Sequence, residues 1–380
     1  MENLKKIREL FPVTKSRIFL NHAAESPLPK PVTEAICKFA EKFSNFGEYS
    51  KDLSDCGKSF FAKLINAKPE ELAVVENTSM GLNIAANVLK YPKGSKVVTT
   101  DLEYPSVVYP WLRRNLNVKV EYVKSVNGKV LLSDFERAVD DKTVAVAISH
   151  VEYFNGFRND LKAISEIAHE HGAYVIVDAI QSAGAISVDV KKDDVDFLAC
   201  ACYKWLLGPA GAGYLYIKEE LIEKFEPPFV GWMSVKPEVF ETIDFWDIWK
   251  LNLSKTASRF EVGTPSRISI VGIIEALKLL LKFGTEKIEN RILKLTDHLI
   301  NAVKDLGLEL QTPEERQHRS GIVNFKISKP KELAEKLKTK GIIVSARAHG
   351  LRVSPHFYNT TEEINRLIEE VERWNKNQNA

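Results

Sequence analysis

The amino-acid sequence predicts an α/β fold, with a large domain built on a mainly parallel seven-stranded sheet covered by helices and a smaller C-terminal α+β domain. Between residues 72 and 217, short apolar runs alternate with helical patterns, which is typical of strand–helix–strand crossovers in a parallel sheet. The runs lack a regular polar alternation, as expected for strands whose two faces are both covered. After about residue 255 the alternation ends and long helical segments take over. The pattern therefore indicates a large domain over residues 15–266 and a small domain formed by residues 1–14 and 267–380.

The large sheet is predicted from seven short runs rich in β-branched, small and aromatic residues. They are 72–76, 96–99, 118–122, 143–148, 173–178, 195–201 and 213–217. Apolar residues recur at helical spacing in the segments between and before them, which predicts the covering helices. These helices span residues 31–45, 54–66, 79–89, 106–115, 133–139 and 160–171.

The C-terminal part combines long helices with a few short strands. Its predicted elements are, in order, helices 267–283 and 285–306, strand 320–327, helix 330–339, strands 341–345 and 350–354, and helix 361–375. The first residues, MENLKKIRELFP, have an amphipathic pattern, and we expect this helix to pack on the small domain. They lack the apolar core of a signal peptide, so no secretory signal is predicted.

Composition and charge exclude several classes of protein. The chain has 380 residues, 44% hydrophobic and 27% charged, with a net charge of +2, so neither nucleic-acid binding nor membrane attachment is predicted. The longest apolar helical stretch, residues 268–281, is interrupted by Glu275 and Lys278 and is not expected to span a bilayer. Four cysteines without metal or redox spacing favour a reducing, cytoplasmic location. No metal site is predicted, because the histidines of His169-Glu170-His171 lie on different faces of a helix.

Polar residues follow three of the predicted strands, at the edge where parallel sheets bind their ligands. Asn77-Thr78-Ser79 follows the first strand and begins a helix, with Thr78 or Ser79 as its expected N-cap, so this segment is either a simple helix cap or a cradle for an anion. Asp178 ends a buried strand and needs a cation or a strong donor, which an ion pair or a helix cap would also supply. Lys204 follows another strand between two aromatic residues. It is either a lysine whose head reaches water or an amine that does covalent chemistry.

These three groups are expected to meet in one crevice, because Asp178 and Lys204 follow strands of the same sheet. Pyridoxal 5′-phosphate is a cofactor that needs all three. Its phosphate suits the helix start at Thr78 and Ser79, and its pyridine nitrogen must stay protonated, which suits Asp178. Its aldehyde condenses with a lysine amine, which suits Lys204. The sequence therefore predicts a pyridoxal-phosphate site.

Three segments, in this order, resemble the class V branch of the fold-type I pyridoxal-phosphate enzymes. They are VDAIQS at 177–182, YKWLLGP at 203–209 and RFEVGTP at 259–265. The branch includes small-molecule aminotransferases, cysteine desulfurases, kynureninases and isopenicillin N epimerase-like proteins. The resemblance extends from FLNHAA at 19–24 to LRVS at 351–354, so it covers nearly the whole chain and implies the fold of that family.

The resemblance implies a role for each matching residue. Lys204 matches the lysine that binds the cofactor covalently, Asp178 the partner of the pyridine nitrogen, and Arg352 the arginine that binds the substrate α-carboxylate. Thr264 matches a residue that reaches the phosphate of a neighbouring subunit, which implies a homodimer with shared active sites. The other implied contacts are with the phosphate (Thr78, Ser79 and Tyr203), with the cofactor ring (Tyr104, Asn155 and Gln181) and with the substrate (Asn21 and His22).

Two features depart from the family pattern. Ala201 stands where many relatives have a phosphate-binding serine, and Tyr203 stands where they have a histidine. Cysteine desulfurases carry a nucleophilic cysteine on a loop shortly before the carboxylate-binding arginine, whereas this chain has SARAHGLR over residues 345–352. A persulfide mechanism therefore lacks its expected nucleophile.

The resemblance and the missing cysteine together favour an aminotransferase that acts on an amino acid and a keto acid. An amino-acid racemase or epimerase, a cysteine desulfurase or lyase with a displaced nucleophile, and a non-catalytic binding protein are the alternatives. Four polar residues are either lining residues of the substrate pocket or ordinary surface and structural residues: His22, Arg158, Arg347 and His349. A spare arginine such as Arg347 would suit an acidic co-substrate with a second carboxylate.

Overall fold

Strands form wherever the sequence has short apolar runs, and the computed structural model describes them within residues 4–50, 52–236 and 249–379. In chain order they are β1 (Ile18–Phe19), β2 (Leu72–Val75), β3 (Lys96–Thr100), β4 (Lys119–Val123), β5 (Thr143–Ser149), β6 (Tyr174–Asp178), β7 (Phe197–Ala201), β8 (Gly213–Ile217), β9 (Val323–Lys326), β10 (Ile342–Ile343), β11 (Ser345–Arg347) and β12 (Gly350–Val353).

Helices occupy most of the amphipathic segments, and several begin at a side-chain cap. Asp160 caps one helix by accepting from the N–H of Ala163, and Ser266 caps another by accepting from the N–H of Ser269. The helices are α1 (Leu4–Glu9), α2 (Lys30–Phe46), α3 (Leu53–Ile65), α4 (Thr78–Val88), α5 (Pro105–Val108), α6 (Leu132–Ala138), α7 (Leu161–Glu170), α8 (Glu219–Ile222), α9 (Arg267–Phe283), α10 (Thr285–Asp305), α11 (Pro330–Thr339) and α12 (Thr361–Asn379).

Seven strands form the central sheet, in the order β2-β8-β7-β6-β5-β3-β4. The pairs from β7 through β6, β5 and β3 to β4 are parallel, and β8 is antiparallel to both of its neighbours. The prediction of a mainly parallel seven-stranded sheet in an α/β fold is therefore confirmed. Because β3, β5, β6 and β7 run in the same direction, the residues that follow them gather at one edge of the sheet.

Both faces of the sheet are buried, which explains why its strands lack a polar alternation. Within β6, Val175 and Val177 belong to the apolar core on one side and Ile176 to the core on the other. Helices α2 and α3 pack against α9 beside the first of these cores, and α4 packs over β6, β7 and β8 beside the second. Because helices cover both faces, the ends of the strands and the side chains that follow them are held in fixed positions.

One predicted helix is much shorter than expected. The segment 106–115 is helical only as α5, Pro105–Val108, and continues as turns. Pro110 has no N–H to donate to the helix, so the regular hydrogen-bond pattern ends there. The next N–H groups, of Trp111 and Leu112, donate to carbonyls three residues back.

The C-terminal part has its own small sheet, with the antiparallel order β11-β12-β9, and its own apolar core. The chain's first segment reaches it. Arg8 pairs with Glu363 at 2.7 Å, and Phe11 stacks on Tyr358 with ring centroids 3.9 Å apart. Strand β1 pairs with β10 in parallel. The division into a large domain, 15–266, and a small domain, 1–14 with 267–380, remains a prediction, and residues 1–3, 51, 237–248 and 380 lie outside the described ranges.

Within those ranges, no helix combines the length and the apolar character that crossing a membrane requires.

Candidate active site

Asp178 ends strand β6 at the carboxyl edge of the sheet, and its side chain is buried. In register it lies beside Ser149 at the end of β5 and beside Ala199 in β7. One carboxylate oxygen accepts a hydrogen bond from the N–H of Ile180 at 2.8 Å. Burial raises the pKa of Asp178 to about 6, while the Ile180 N–H and the positive charge of Lys204 oppose the increase. A buried carboxylate with so little compensation requires a cationic partner.

Lys204 lies in the turn that follows β7. The N–H of Leu207 donates to the carbonyl of Lys204 at 3.0 Å and closes this turn. Burial lowers the pKa of the Lys204 amine to about 8; the negative charge of Asp178 acts against this change, and the positive charge of Arg352 adds to it. An amine with a lowered pKa is more often uncharged near neutral pH, so it serves better as a nucleophile and as a base.

Two aromatic rings flank this amine. The Nζ atom of Lys204 lies 5.9 Å from the centre of the Tyr104 ring and 5.7 Å from the centre of the Tyr203 ring. Tyr104 also makes an edge-to-face contact with Tyr153, with ring centroids 5.2 Å apart. A planar cofactor joined to Lys204 would find the Tyr104 ring within stacking reach, so Tyr104 stays the predicted stacking partner.

The N-terminus of helix α4 lies at the end of β7. Asn77, and not Thr78 or Ser79 as predicted, caps the helix, because its side chain accepts a hydrogen bond from an N–H of the first turn at 2.9 Å. The hydroxyl of Thr78 accepts from the N–H of Ala201 at 2.9 Å, which holds the helix start against the strand end. The hydroxyl of Ser79 lies 2.8 Å from that of Ser106, a residue that the sequence reasoning misses. Because the first N–H groups of a helix have no partners within it, this end suits a phosphate.

Arg352 lies in β12 opposite Ser345 of β11, and its side chain is almost completely buried. Its Nε donates to the Ser345 hydroxyl at 3.2 Å, and its Nη1 donates to the carbonyl of Tyr153 at 2.6 Å. Burial lowers the pKa of Arg352 to about 9, and the positive charge of Arg347 lowers it further. The guanidinium charge in turn lowers the pKa of Lys204, so the two cations belong to one site. Such a buried cation suits an anionic group of the substrate.

Two predicted ring contacts, Gln181 and Asn155, are engaged with the chain itself. Gln181 donates to the carbonyl of Ala23 at 3.0 Å and accepts from the indole N–H of Trp205 at 2.9 Å, next to the lysine. Asn155 donates to the carbonyl of Gly128 at 2.6 Å and accepts from a backbone N–H two residues on, at 3.0 Å. The structure therefore brings Gln181 to the site, whereas the contacts of Asn155 secure a turn. The roles of both toward the cofactor stay predictions.

The two predicted substrate contacts, His22 and Asn21, differ in what they offer. The ring nitrogens of His22 lie 2.9 Å from the carbonyl of Ser354 and 2.9 Å from the hydroxyl of Tyr358, so both are engaged within the chain. Burial, helped by the nearby His356, lowers the pKa of His22 well below its usual value and keeps the ring neutral. Asn21, in contrast, has a buried Oδ1 without a hydrogen-bond partner in the described chain. Asn21 is therefore the one of the two with a free acceptor.

The remaining candidates lie at the periphery. Arg158 forms an ion pair with Glu289 at 2.8 Å, which favours a structural role over a pocket role. Thr264 is exposed in the loop that precedes α9. Arg347 and His349 are exposed in the β11–β12 hairpin that carries Arg352.

Two acids near Asp178 escape sequence reasoning: Glu103, which is half-buried, and Glu152, which is buried. The Glu103 carboxylate accepts from the N–H of Ser149 at 2.5 Å and from its hydroxyl at 2.7 Å. Burial raises the pKa of Glu103 well above its usual value, and burial together with the charge of Glu103 does the same to Glu152. Since the pKa of Asp178 rises less, Asp178 is the first of these acids to ionise. It is therefore the one suited to hold a cation.

His150 directly follows β5, and sequence reasoning misses this residue as well. The ring is buried, and burial lowers its pKa to about 3, with a further decrease from the charge of Arg158, so it is neutral near pH 7. Its Nδ1 has no hydrogen-bond partner in the described chain. A buried polar atom without a partner is rare and marks a place where a ligand atom fits. The signal is the one that identifies Asp178, a polar residue directly after a parallel strand.

These groups fit pyridoxal 5′-phosphate. The start of α4 offers N–H groups to a phosphate, Asp178 offers a carboxylate to a protonated pyridine nitrogen, and Lys204 offers an amine to an aldehyde. The weakly compensated carboxylate of Asp178 calls for a cationic ligand between them. Across the described ranges, no group of three or more His, Cys, Asp and Glu side chains is arranged to hold a metal ion.

We expect the amine of Lys204 in the cofactor-free protein to titrate near pH 8, well below an ordinary lysine. Between pH 8 and pH 10.5 the unfolded chain, whose lysine keeps its ordinary pKa of 10.5, binds more protons than the folded protein. Burial of Lys204 therefore lowers the free energy of unfolding below pH 8, and this cost fades as the pH rises. In Asp178→Asn the midpoint should fall further, because the Asp178 charge raises it. Amine labelling across this range, read by mass spectrometry, measures both midpoints. Exposed Lys282 is the internal control, and an unshifted Lys204 midpoint would contradict the described environment.

Comparison with known proteins gives a consistent result. The sequence model of the family described as Aminotransferase class-V matches residues 18–367. An uncharacterized aminotransferase of Bacillus subtilis, YcbU, is 32% identical over 98% of both chains. A probable cysteine desulfurase of Pyrococcus abyssi is 30% identical over 95% of both. The apo structure of a cysteine desulfurase from Thermococcus onnurineus NA1 superposes with a TM-score of 0.90, at 29% identity, and covers 99% of both chains.

The matched region contains every group of the site, from the strand ends to the hairpin with Arg352. The lysine, the buried aspartate and the anion-binding helix start are the parts that a pyridoxal-phosphate enzyme needs. Pyridoxal 5′-phosphate is therefore the cofactor of this enzyme. From the site and the extent of the match, we conclude that the chain belongs to the class V aminotransferase family.

Proposed function

We propose that this enzyme is an aminotransferase that moves an amino group between an amino acid and a keto acid. The observation that carries the proposal is the position of Lys204, which follows β7 beside the strand that ends in Asp178 and whose amine is close enough to Asp178 and Arg352 for both charges to shift its pKa. An amine placed between a cofactor partner and a carboxylate-binding guanidinium can reach the carbon that joins the substrate's amino and carboxylate groups. Transfer of the proton at that carbon is the central step of transamination.

Each residue of the chain has a task in this proposal. Arg352 binds the substrate α-carboxylate with its planar fork and so orients the Cα–H bond. Lys204 accepts the Cα proton and holds it as an ammonium on that side of the substrate. Asp178 keeps its charge beside the pyridine nitrogen, and Tyr104 covers the ring and excludes water from it. Pyridoxal 5′-phosphate, when bound, supplies the electron sink for this chemistry.

The position of the thiols supports an aminotransferase over a cysteine desulfurase, although several relatives carry the latter name. A desulfurase needs a partly exposed, electropositive thiolate near the substrate. Cys200 and Cys202 are buried, and burial raises the pKa of both thiols. Cys37 and Cys56 lie in α2 and α3, before the first strand of the large sheet. The hairpin that carries Arg352 contains no cysteine.

The test is a half-reaction screen on the cofactor-loaded enzyme. With a suitable amino acid and no acceptor, we expect one equivalent of keto acid per site and conversion of the cofactor to its aminated form, followed by turnover when a keto acid is added. From cysteine we expect only slow release of sulfide, equal in wild type and in Cys202→Ser. Absorbance, keto-acid derivatisation and a sulfide assay measure these outcomes.

Two other results would replace the proposal. Loss of chirality at Cα with proton exchange but without keto acid would show a racemase or epimerase. Rapid sulfide or persulfide production that disappears in Cys202→Ser would show a desulfurase with a displaced nucleophile. The Cys37→Ser variant is the matched control, since Cys37 is exposed on α2 and away from the lysine turn in the sequence.

We further propose a homodimer in which Thr264 completes the partner's phosphate site. Thr264 lies in an exposed loop between two exposed apolar residues, Val262 at 44% and Ile268 at 49%, which a partner subunit would cover. We expect Val262→Glu to shift the enzyme from dimer to monomer and to weaken cofactor retention. Sedimentation and cofactor loss on dilution measure both effects, with Val126→Glu, at a comparably exposed site, as the control. A fully active monomer would contradict this proposal.

A further inference from the structure

The hairpin β11–β12 places two arginines on one face. A two-residue turn, Ala348-His349, joins the strands, and both of its residues have positive φ, 45° and 64°. Alternate residues of a strand point to the same side, so Arg347 projects to the side of Ser345. Ser345 pairs with Arg352 across the hairpin and accepts a hydrogen bond from its Nε at 3.2 Å. The two guanidinium groups therefore start from the same face of a narrow hairpin.

The hairpin is anchored close to the lysine, because the charges of Arg352 and Arg347 both act on the amine of Lys204. The side-chain amide of Asn324, in β9, donates to the carbonyl of Phe154 at 2.9 Å and to the carbonyl of Arg347 at 3.3 Å. Arg352 binds the carbonyl of Tyr153 from the same hairpin. These contacts anchor the hairpin to the segment after β5, whose strand borders β6 and Asp178.

The charges on this face are not balanced by the protein. In the described ranges, neither Arg347 nor Arg352 forms an ion pair with a carboxylate. Arg347 is exposed and its guanidinium donates only to the carbonyl of Ala346, at 2.8 Å. Arg158 and Arg319, in contrast, pair with Glu289 and Asp297. The α-carboxylate of a neutral amino acid would balance one of the two cations and leave the other without a counter-ion.

We propose that Arg347 binds a second carboxylate of the substrate, so that one amino-acid and keto-acid pair of this enzyme is dicarboxylic, of the aspartate or glutamate class. Residues that lie diagonally across an antiparallel pair, as Arg347 and Arg352 do, are roughly 7–8 Å apart, which long side chains can bridge with a four- or five-carbon dicarboxylic acid between them. Arg347 is exposed on a flexible side chain, so it can move aside when a neutral partner substrate enters the same site. The inference rests on the proposed aminotransferase function and specifies its substrate class.

The test compares the cofactor-loaded wild type with Arg347→Ala, Arg347→Lys and the control Arg366→Ala, which removes an exposed arginine from α12. Half-reaction kinetics use glutamate and aspartate against alanine and 2-aminobutyrate. In Arg347→Ala we expect KM for the acidic substrates to rise roughly 10- to 100-fold, because a charge-assisted hydrogen bond to the second carboxylate is lost. KM for the neutral substrates should stay unchanged in Arg347→Ala, and no KM should change in the control Arg366→Ala. Arg347→Lys should restore part of the affinity for the acidic substrates.

Binding of glutarate and butyrate, measured by calorimetry, gives a readout that is independent of turnover. We expect Arg347→Ala to weaken the binding of glutarate by a similar factor and to leave the binding of butyrate unchanged. Equal KM changes for acidic and neutral substrates, or unchanged glutarate binding, would overturn the inference. If no amino acid supports transamination while glutarate binding still depends on Arg347, the proposed function fails and the second-carboxylate site stands. Preferred cleavage of cystine with the same dependence on Arg347 would likewise refute the aminotransferase function and support the second-carboxylate site.

Discussion

Replacement of Lys204 by alanine will remove the covalent link to the cofactor and lower turnover by roughly four orders of magnitude or more. The reason lies in the position of the amine, whose pKa burial lowers to about 8 and which lies close enough to Asp178 and Arg352 for both charges to act on it. The turn after β7, which the Leu207 N–H closes, holds Lys204 in this position. A lysine elsewhere in the chain would lack that support.

Borohydride reduction followed by mass spectrometry measures the link. In the wild type the reduced cofactor should be found on the peptide with Lys204, and in Lys204→Ala it should be absent from the protein. Lys282→Ala, at an exposed position of α9, should behave as the wild type. Wild-type turnover in Lys204→Ala would show that the site is assigned to the wrong lysine.

The substitution Asp178→Asn will slow the chemical step by roughly 10²- to 10³-fold or more while much of the cofactor binding survives. The side chains have the same shape, but an amide carries no charge to hold a protonated pyridine nitrogen. The neighbouring acids are less suited to replace it, since burial raises the pKa of Glu103 and of Glu152 above its usual value. Single-turnover kinetics at saturating amino acid, with the bound cofactor quantified, measure the effect.

Asp196→Asn is the matched comparison for this substitution. Asp196 is also buried, directly before β7 at the opposite end of the sheet from Asp178, and it binds His169 at 2.9 Å and the N–H of Val175 at 2.8 Å. Its loss should lower the free energy of unfolding and leave the rate of the folded enzyme intact. A near-normal rate in Asp178→Asn would remove the electron-sink role, and an equal loss of rate in Asp196→Asn would show that stability explains both.

Much of this architecture was accessible from the sequence because burial on both sheet faces leaves a plain signal. The run AYVIVD predicts β6 and its terminal Asp178, and the edge rule for parallel sheets then places Lys204 nearby. Both strand ends lie where expected. The cofactor chemistry followed from residue types, which the family match supports at the level of the cofactor and the family.

The sequence does not indicate which residues of distant segments become ion-pair or hydrogen-bond partners. Arg158 is a pocket candidate by charge, yet it meets Glu289, 131 residues away, which no local pattern indicates. His22 likewise finds Tyr358 at a separation of 336 residues. His150 and Glu103 look like ordinary polar residues until the sheet buries them, because a pKa depends on depth and neighbours rather than on residue type.

The two ends of the chain are joined, and this has a consequence for the order in which the molecule acquires its shape. Arg8 donates to the carbonyl of Tyr358, 350 residues away, and β1 pairs with β10. The strands of the central sheet end by Ile217 and α9, which helps to cover one face, ends at Phe283, so the sheet and its covering can assemble while the ribosome is still translating the rest. The hairpin with Arg352 cannot reach its final place until nearly all of the polypeptide has emerged. The cofactor platform is thus ready early, and the capacity to hold a substrate is the last property the nascent enzyme gains.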